Sequence, residues 1–159
     1  MLPNNYYVLR LHHRIVRDKR LSTHVGLIAR AFGAKGYIYS GEKDTILEKS
    51  ITEINKNFNQ KFECTYWDDW MANLKFLSKT NTIFVHLTMY GTPIQDVQEN
   101  IFQEFDTGKN IIFIVGGAKV PTIIYKISKY NISVTNQPHS EAGALAVTLD
   151  RIFKNAINN

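Results

Sequence analysis

Three short segments of this chain place glycine and polar residues where apolar runs end. They read His86-Leu87-Thr88-Met89-Tyr90-Gly91, Val115-Gly116-Gly117-Ala118-Lys119-Val120-Pro121 and Thr135-Asn136-Gln137-Pro138-His139-Ser140-Glu141. Gly116 and Gly117 let backbone amides come close to a ligand or to a neighbouring strand; a tight turn needing positive φ would use them equally well. The spacing matches neither G-x-x-x-x-G-K-[ST] nor G-x-G-x-x-G, so neither phosphate-binding loop is present in that form. In the third segment Asn136, Gln137, His139 and Ser140 bring donors and acceptors nearly together, as in a binding loop; the plainer alternative has Ser140 capping a helix and the rest solvated. His139 has no H-E-x-x-H or Cys/His cluster around it, so no metal site is expected.

A second chemical signal is charge. Arg10, Arg14, Arg17, Lys19 and Arg20 face only Asp18 within eleven residues, which accounts for most of the formal net charge of +5. Such a stretch, beside His12 and His13, is an electrostatic footprint for a polyanion such as RNA, with a solvated loop as the alternative. Arg30 precedes Phe32-Gly33-Ala34, where a helical pattern ends; taken alone, a helix arginine is a solvated residue. The single cysteine, Cys64, cannot form an internal disulfide and is expected to be a buried, inert thiol.

Strand-like runs recur at residues 6–11, 37–40, 62–66, 82–87, 110–115 and 132–135. Between them lie helical stripes: Leu21, Val25, Ile28, Phe32; then Leu47, Ile51, Ile54, Phe58; then Trp67, Trp70, Met71, Leu74, Leu77; then Ile94, Val97, Ile101, Phe105. A shorter stripe follows near Ile123, Ile124 and Ile127, and a last one on Leu145, Leu149, Ile152 and Ala156. Asp18, Thr92 with Pro93, and Ser140 with Glu141 mark expected helix starts. This alternation predicts an α/β fold, a mostly parallel sheet with helices on both faces. In such sheets ligands bind beyond the carboxyl ends of the strands, where all three unusual segments fall. At 159 residues, 44% hydrophobic and 21% charged, one folded domain spanning 1–159 is expected, without a disordered or collagen-like region. No apolar stretch reaches the length of a membrane span, and the start MLPNNYYVLRLHHR does not read as a secretory signal, which points to a cytoplasmic protein.

Taken together, Arg17-Asp18-Lys19-Arg20, Thr23-His24-Val25, Ala29-Arg30-Ala31-Phe32-Gly33-Ala34, VHLTMYG, VGGAKVP and NQPHSEAGALAVTLDRIF resemble the archaeal tRNA (cytidine-56) 2′-O-methyltransferases. That family belongs to the SPOUT superfamily of trefoil-knotted, S-adenosylmethionine-dependent enzymes. The resemblance covers nearly the whole chain, with its motifs in order. It implies a C-terminal trefoil knot, which general topology would not suggest. It further implies a homodimer whose two subunits complete the active site, tRNA as substrate, and 2′-O-methylation of a T-loop cytidine without a metal.

Carried over by position, the resemblance implies that Leu87 closes over the adenine of the methyl donor. Gly116, Gly117, Ala118, Lys119 and Val120 would line it with backbone groups, and Val134, Thr135, Asn136, Gln137, Pro138, His139 and Ser140 would complete the cradle. Arg30, six residues before Gly36, matches the arginine of the first motif, and Arg30 and Asn136 are the catalytic candidates. A guanidinium keeps its proton in proteins, so the role expected of Arg30 is a bidentate phosphate clamp, with the proton acceptor left open. Arg14, Arg17, Lys19 and Arg20 would contact tRNA phosphates. The chain departs from the family pattern at His12, where glycine is frequent, at Ile15-Val16, which replace a Pro-acid pair, and at Ala118, often a glutamate. The chain ends soon after the last helical stripe, which leaves little expected room for an added RNA-binding module. Two alternatives stay open: a catalytically silent RNA-binding protein of the same fold, and a flavodoxin-like or Rossmann nucleotide-binding module, which would leave the NQPHSE segment unexplained.

Overall fold

The computed structural model describes residues 5–58, 61–116 and 119–154. Six strands and six helices alternate: β1 (Tyr6–His13), α1 (Ile15–Ala31), β2 (Gly36–Gly41), α2 (Thr45–Phe58), β3 (Glu63–Tyr66), α3 (Trp70–Leu77), β4 (Thr82–Pro93), α4 (Ile94–Asp106), β5 (Asn110–Gly116), α5 (Thr122–Ile127), β6 (Tyr130–Ser133) and α6 (Glu141–Phe153). The strands form one sheet in the order β3-β2-β1-β5-β4-β6, and every pairing is parallel.

Period two along the strands makes two cores. Tyr6 and Val8 of β1 and Ile111, Phe113 and Val115 of β5 face one layer, which holds Val25 and Ala29 of α1, Ile51 of α2, Ile101 of α4 and Leu149 of α6. Leu9, Leu11, Ile112 and Ile114 face the other, with Leu74 of α3 and Ile124 of α5. Helices therefore cover both faces, as the alternation predicts. In the first layer the Phe153 ring stacks on Tyr6 at 4.2 Å between centroids and meets Phe105 edge-on at 4.9 Å, pinning α6 to the sheet.

The same alternation decides the fate of Arg10. It shares a strand face with Tyr6 and Val8, so the guanidinium points under α1 and is fully buried. The expectation that Arg10 belongs to the polyanion footprint is corrected by strand geometry. Arg10 Nη1 donates to Ser22 Oγ at 2.9 Å and Nη2 to Glu141 Oε2 at 3.2 Å, with Asp18 Oδ2 at 3.7 Å from Nη1.

Several boundaries differ from expectation for local reasons. Helix α1 starts at Ile15, before Asp18, and Asp18 does not precede the helix; its carboxylate reaches back to accept from Arg14 N at 3.0 Å. Pro93, not Thr92, occupies the N-cap of α4, because Thr92 is still paired with Ile132. Strand β6 begins at Tyr130, opposite Val85, so Val134 and Thr135 leave the sheet. Ser140 caps α6 as expected, accepting from Ala142 N and Gly143 N.

Strand β4 meets β6 twice. Val85, His86 and Leu87 pair with Tyr130, Asn131 and Ile132; then, after an irregularity, Thr92 and Pro93 pair with Ile132 and Ser133. Gly91 lies in the return, where a Cβ would come within 2.6 Å of the backbone of Asn131 and Ile132. Only glycine permits that approach, and Ser133 Oγ donates to Gly91 O at 3.2 Å across it. Gly91→Ala is therefore expected to cost about 1–3 kcal/mol of stability by overpacking, read as a lower denaturant midpoint; an unchanged midpoint would contradict the close approach.

Candidate active site

Beyond the carboxyl ends of β4 and β5, and beside the start of α6, lies a cavity of about 410 Å³. That volume suits a cofactor-sized ligand, whose sites span about 300–1,000 Å³. The strand ends of β4 and β5 supply His86, Leu87, Thr88, Met89, Tyr90, Val115 and Gly116; Val120 and Tyr125 come from the segment after β5. Pro138, His139, Glu141 and Ala144 close the remaining side. The three segments singled out in the sequence thus meet in one place.

The walls are about half apolar and half polar, with polar groups at fixed points. A Cβ on Gly116 would stand 2.3 Å from Val120 Cγ2, so the bare glycine is what lets Val120 fold back on the strand end. His86 is buried at the floor, and its ring meets Tyr125 edge-on at 4.7 Å. Asn131 Nδ2 donates to Tyr125 O at 3.1 Å, so its Oδ1 is the acceptor for His86 Nδ1–H at 2.9 Å. Burial holds the His86 imidazole below its usual range and outweighs that hydrogen bond, so the ring is neutral near pH 7. Thr88 Oγ1 and the Tyr125 hydroxyl are hydrogen-bonded at 3.0 Å.

Among the residues expected to hold a methyl donor, Leu87, Gly116, Val120, Pro138 and His139 line the cavity. Gly117 and Ala118 lie outside the described residues. Lys119, Val134, Thr135, Asn136, Gln137 and Ser140 belong to the same two segments but are not part of the wall. Asn136 Oδ1 accepts from Gln137 Nε2 at 3.1 Å, and the His139 ring lies 2.6 Å from Gln137 O through Nδ1, so the loop is tied to itself. A cavity of this size that mixes apolar surface with a few fixed polar groups suits a small-molecule cofactor.

Arg30 stands elsewhere. It occupies the last turn of α1, toward the edge of the sheet where the strands begin, whereas the cavity is at the edge where they end. Its Nε donates to Asn55 Oδ1 at 3.1 Å and its guanidinium lies 5.4 Å over the Phe58 ring, while Nη2 is buried with no hydrogen-bond partner among the described residues. Within one chain Arg30 does not meet the cavity. Arg17, Lys19 and Arg20 are exposed on the first turns of α1, and Arg14, half exposed, pairs with Asp18 at 3.1 Å.

The sequence reading missed Tyr125, which sits on a helix and carries no local signal, and it quoted Glu141 and Ala144 only within the third segment and its motif, without a role at the site. It also did not foresee that Arg10 and Glu141 pair at this wall, a contact between residues 131 apart in the chain. A second polar cluster lies behind Arg10: Ser22 Oγ is 2.5 Å from His13 Nδ1, and His13 Nε2 is 2.9 Å from Asp44 Oδ2. This order imitates a hydrolase triad, but Ser22 is fully buried and its hydroxyl accepts from Arg10. Asp44 works instead as the cap of α2, accepting from Ile46 N and Leu47 N at 3.1 Å each. Cys64 is half-buried in β3, and burial pushes its thiol up to about 12, so it is unreactive.

Comparison with known proteins converges on the same segments. The sequence model of the family described as tRNA ribose 2′-O-methyltransferase, aTrm56, matches residues 58–158, which include every wall of the cavity. A protein of Thermococcus kodakarensis named tRNA (cytidine(56)-2′-O)-methyltransferase is 44% identical over 149 residues, covering 94% of this chain and 82% of that protein. Its namesake in Pyrococcus horikoshii is 42% identical over 147 residues, covering 92% of this chain and 71% of that protein. The fold matches the crystal structure of the SpoU methyltransferase AviRb from Streptomyces viridochromogenes in complex with AdoMet, with a TM-score of 0.67 at 17% identity, over 100% of this chain and 60% of that one. With a family model matching residues 58–158 and a relative 44% identical over 94% of the chain, the chain belongs to the tRNA ribose 2′-O-methyltransferase family, aTrm56.

Proposed function

We propose that this chain transfers a methyl group from S-adenosylmethionine to the 2′-hydroxyl of cytidine 56 in the T-loop of tRNA, as one catalytic domain over residues 1–159. The observation that carries the reading is the meeting of Leu87, Gly116, Val120, Pro138 and His139, from three segments shared with the family, around one cofactor-sized cavity. When bound, S-adenosylmethionine supplies an electrophilic methyl on a sulfonium centre. Leu87, Val120 and Ala144 would exclude water from its adenine ring, and the bare backbone at Gly116 would let it approach without a side chain between. Val134, Thr135, Asn136, Gln137 and Ser140 belong to the loop that presents Pro138 and His139, and Lys119 to the segment that presents Val120. The trefoil knot expected of the family is supported by the double pairing of β4 with β6 and by the close approach at Gly91.

Methyl transfer needs the 2′-oxygen in line with the methyl and its backbone phosphate held still. Arg30 has the fork for a phosphate, and its Nη2 has no hydrogen-bond partner among the described residues. Since α1 is 17 residues long, about 25 Å at 1.5 Å per residue, its two ends cannot both reach one cavity. Arg30 therefore acts on the site of a second copy, which makes the homodimer the working unit, and Asn136 orients the substrate beside it. No helix among the described residues is long and apolar enough to cross a membrane, and a tRNA substrate fits a cytoplasmic enzyme.

The test is transfer of labelled methyl to unmodified tRNA transcripts, with the modified nucleotide mapped. Wild type should label the T-loop cytidine, and Arg30→Ala should lower the rate by about two orders of magnitude or more. An equal mixture of Arg30→Ala with a Gly116→Val variant, allowed to exchange subunits, should regain about a quarter of the wild-type rate through heterodimers with one intact site. No transfer by a folded protein that still binds tRNA would leave an RNA-binding protein of the same fold. Separately, replacing Arg17, Lys19 and Arg20 by alanine should weaken tRNA binding and flatten its salt dependence by about two to three phosphate contacts; an unchanged salt slope would remove α1 from the RNA interface.

A further inference from the structure

The reaction needs a group that takes the proton of the 2′-hydroxyl, and among the described residues the wall of the cavity holds one carboxylate. Glu141 lines the cavity from the first turn of α6. Its Oε2 accepts from Arg10 Nη2 at 3.2 Å, while Oε1 is buried with no hydrogen-bond partner among the described residues. Capping does not explain it, because Ser140 caps this helix. A purely structural ion pair does not explain it either. Arg10 also faces Asp18, and Asp18 in turn accepts from Arg14 N at 3.0 Å and Arg14 Nε at 3.1 Å. Glu141 is the acid with the fewest partners in this cluster. A carboxylate oxygen bare of donors beside a ligand cavity is unfavourable until a ligand donates to it.

The direction of approach selects the ligand. The chain Glu141–Arg10–Asp18–Arg14 runs from the cavity to the surface, where Arg17, Lys19 and Arg20 are exposed on the same helix as Asp18. RNA held on α1 thus reaches the cavity from the Glu141 side. We propose that Glu141 Oε1 is the acceptor of the 2′-hydroxyl proton, with Arg10 a positioning residue that fixes Oε2; this rests on the methyltransferase reading. The O–H bond breaks and its proton passes to Oε1, giving a neutral carboxylic acid. The electron pair freed on oxygen forms the new O–CH3 bond, the S–CH3 bond breaks, and its pair remains on sulfur as a thioether. Water takes the proton from Glu141 after release.

The electrostatics agree with that role. Burial, the largest influence, raises the Glu141 carboxyl and Asp18 adds to it; Arg10 and Arg14 oppose, and the net is upward. Tyr37 of β2 also faces this cluster, raised by its own burial and uncharged, and His86, Tyr125 and His139 share the cavity. A carboxyl raised in the folded state opposes folding once ionised, so Glu141 is retained at neutral pH at a cost to stability.

Glu141→Gln keeps the shape and an acceptor for Arg10 but cannot take a proton. The variant and wild type are compared by calorimetric binding of S-adenosylmethionine, tRNA affinity, thermal midpoint, and single-turnover methyl transfer across pH. Both affinities should stay within about threefold and the midpoint should not fall. The rate should drop by about 10²–10⁴-fold, with loss of the acidic limb of the pH profile. A rate within about tenfold of wild type with the limb intact overturns the proposal. So does a loss of donor affinity with the rate preserved at saturating donor, which would make Glu141 a donor-holding residue. Should Glu141→Gln fail to fold, Glu141→Asp reads the same point: a slower rate with the acidic limb kept supports it, and a lost limb overturns it. A wild-type protein without transfer overturns the methyltransferase reading and this proposal with it; an active wild type beside an active Gln variant overturns this proposal alone.

Discussion

A guanidinium with no access to water sits at the carboxyl end of the central strand β1, and much of the working end of the molecule is arranged around it. Burying an unpaired cation costs several kcal/mol. Arg10 offsets that cost through Ser22, Asp18 and Glu141, acceptors and negative charges drawn from α1 and from α6. These contacts set how α1 and the start of α6 lie against the sheet. The start of α6 is also one wall of the cavity, so the same cation that organises the fold orients a carboxylate at the site.

Around that point the packing is ordinary and strict. Apolar side chains alternate across β1 and β5, helices cover both faces, and the ring of Phe153 closes the layer beneath α6. Polar residues inside the layers are tied in turn: Ser22 links Arg10 to His13, and His13 links to Asp44, whose carboxylate caps α2. Burial raises the Asp44 carboxyl, but the hydrogen bonds from His13, Leu47 and Ile46 outweigh it and hold it below the usual range. It thus contributes stability above the unfolded carboxyl range that is lost as pH falls through the folded value.

The two ends of α1 divide the chemistry between two places. Its first turns expose Arg17, Lys19 and Arg20 near the strand ends that build the cavity, and its last turn carries Arg30 to the opposite edge, beside Asn55 and Phe58. His12 sits at φ 63°, a left-handed conformation that glycine adopts without strain, at the irregular end of β1 where the register with β2 shifts between Arg10 and His13; a histidine there carries a backbone cost just before α1.

Sequence alone determined the element order, the parallel sheet with helices on both faces, the three segments that meet at the cavity, and the cap at Ser140, because each follows from period, turn chemistry or a local motif. It also carried the family, since the motifs at Arg30, VHLTMYG, VGGAKVP and NQPHSE are contiguous in the chain. Tertiary structure decided the rest. Arg10 looked like one more surface cation because a strand's inward face is fixed by register, not by charge. Strand β6 begins two residues earlier than its apolar pattern because Val85 and Phe84 of β4 select its start by pairing. Tyr125 reaches the cavity through folding alone, as a residue on a helix with nothing local to mark it; the pairing of Glu141 with Arg10 and the separation of Arg30 from the cavity arise in the same way. Contacts between residues far apart in the chain depend on how elements dock, which no local spacing encodes.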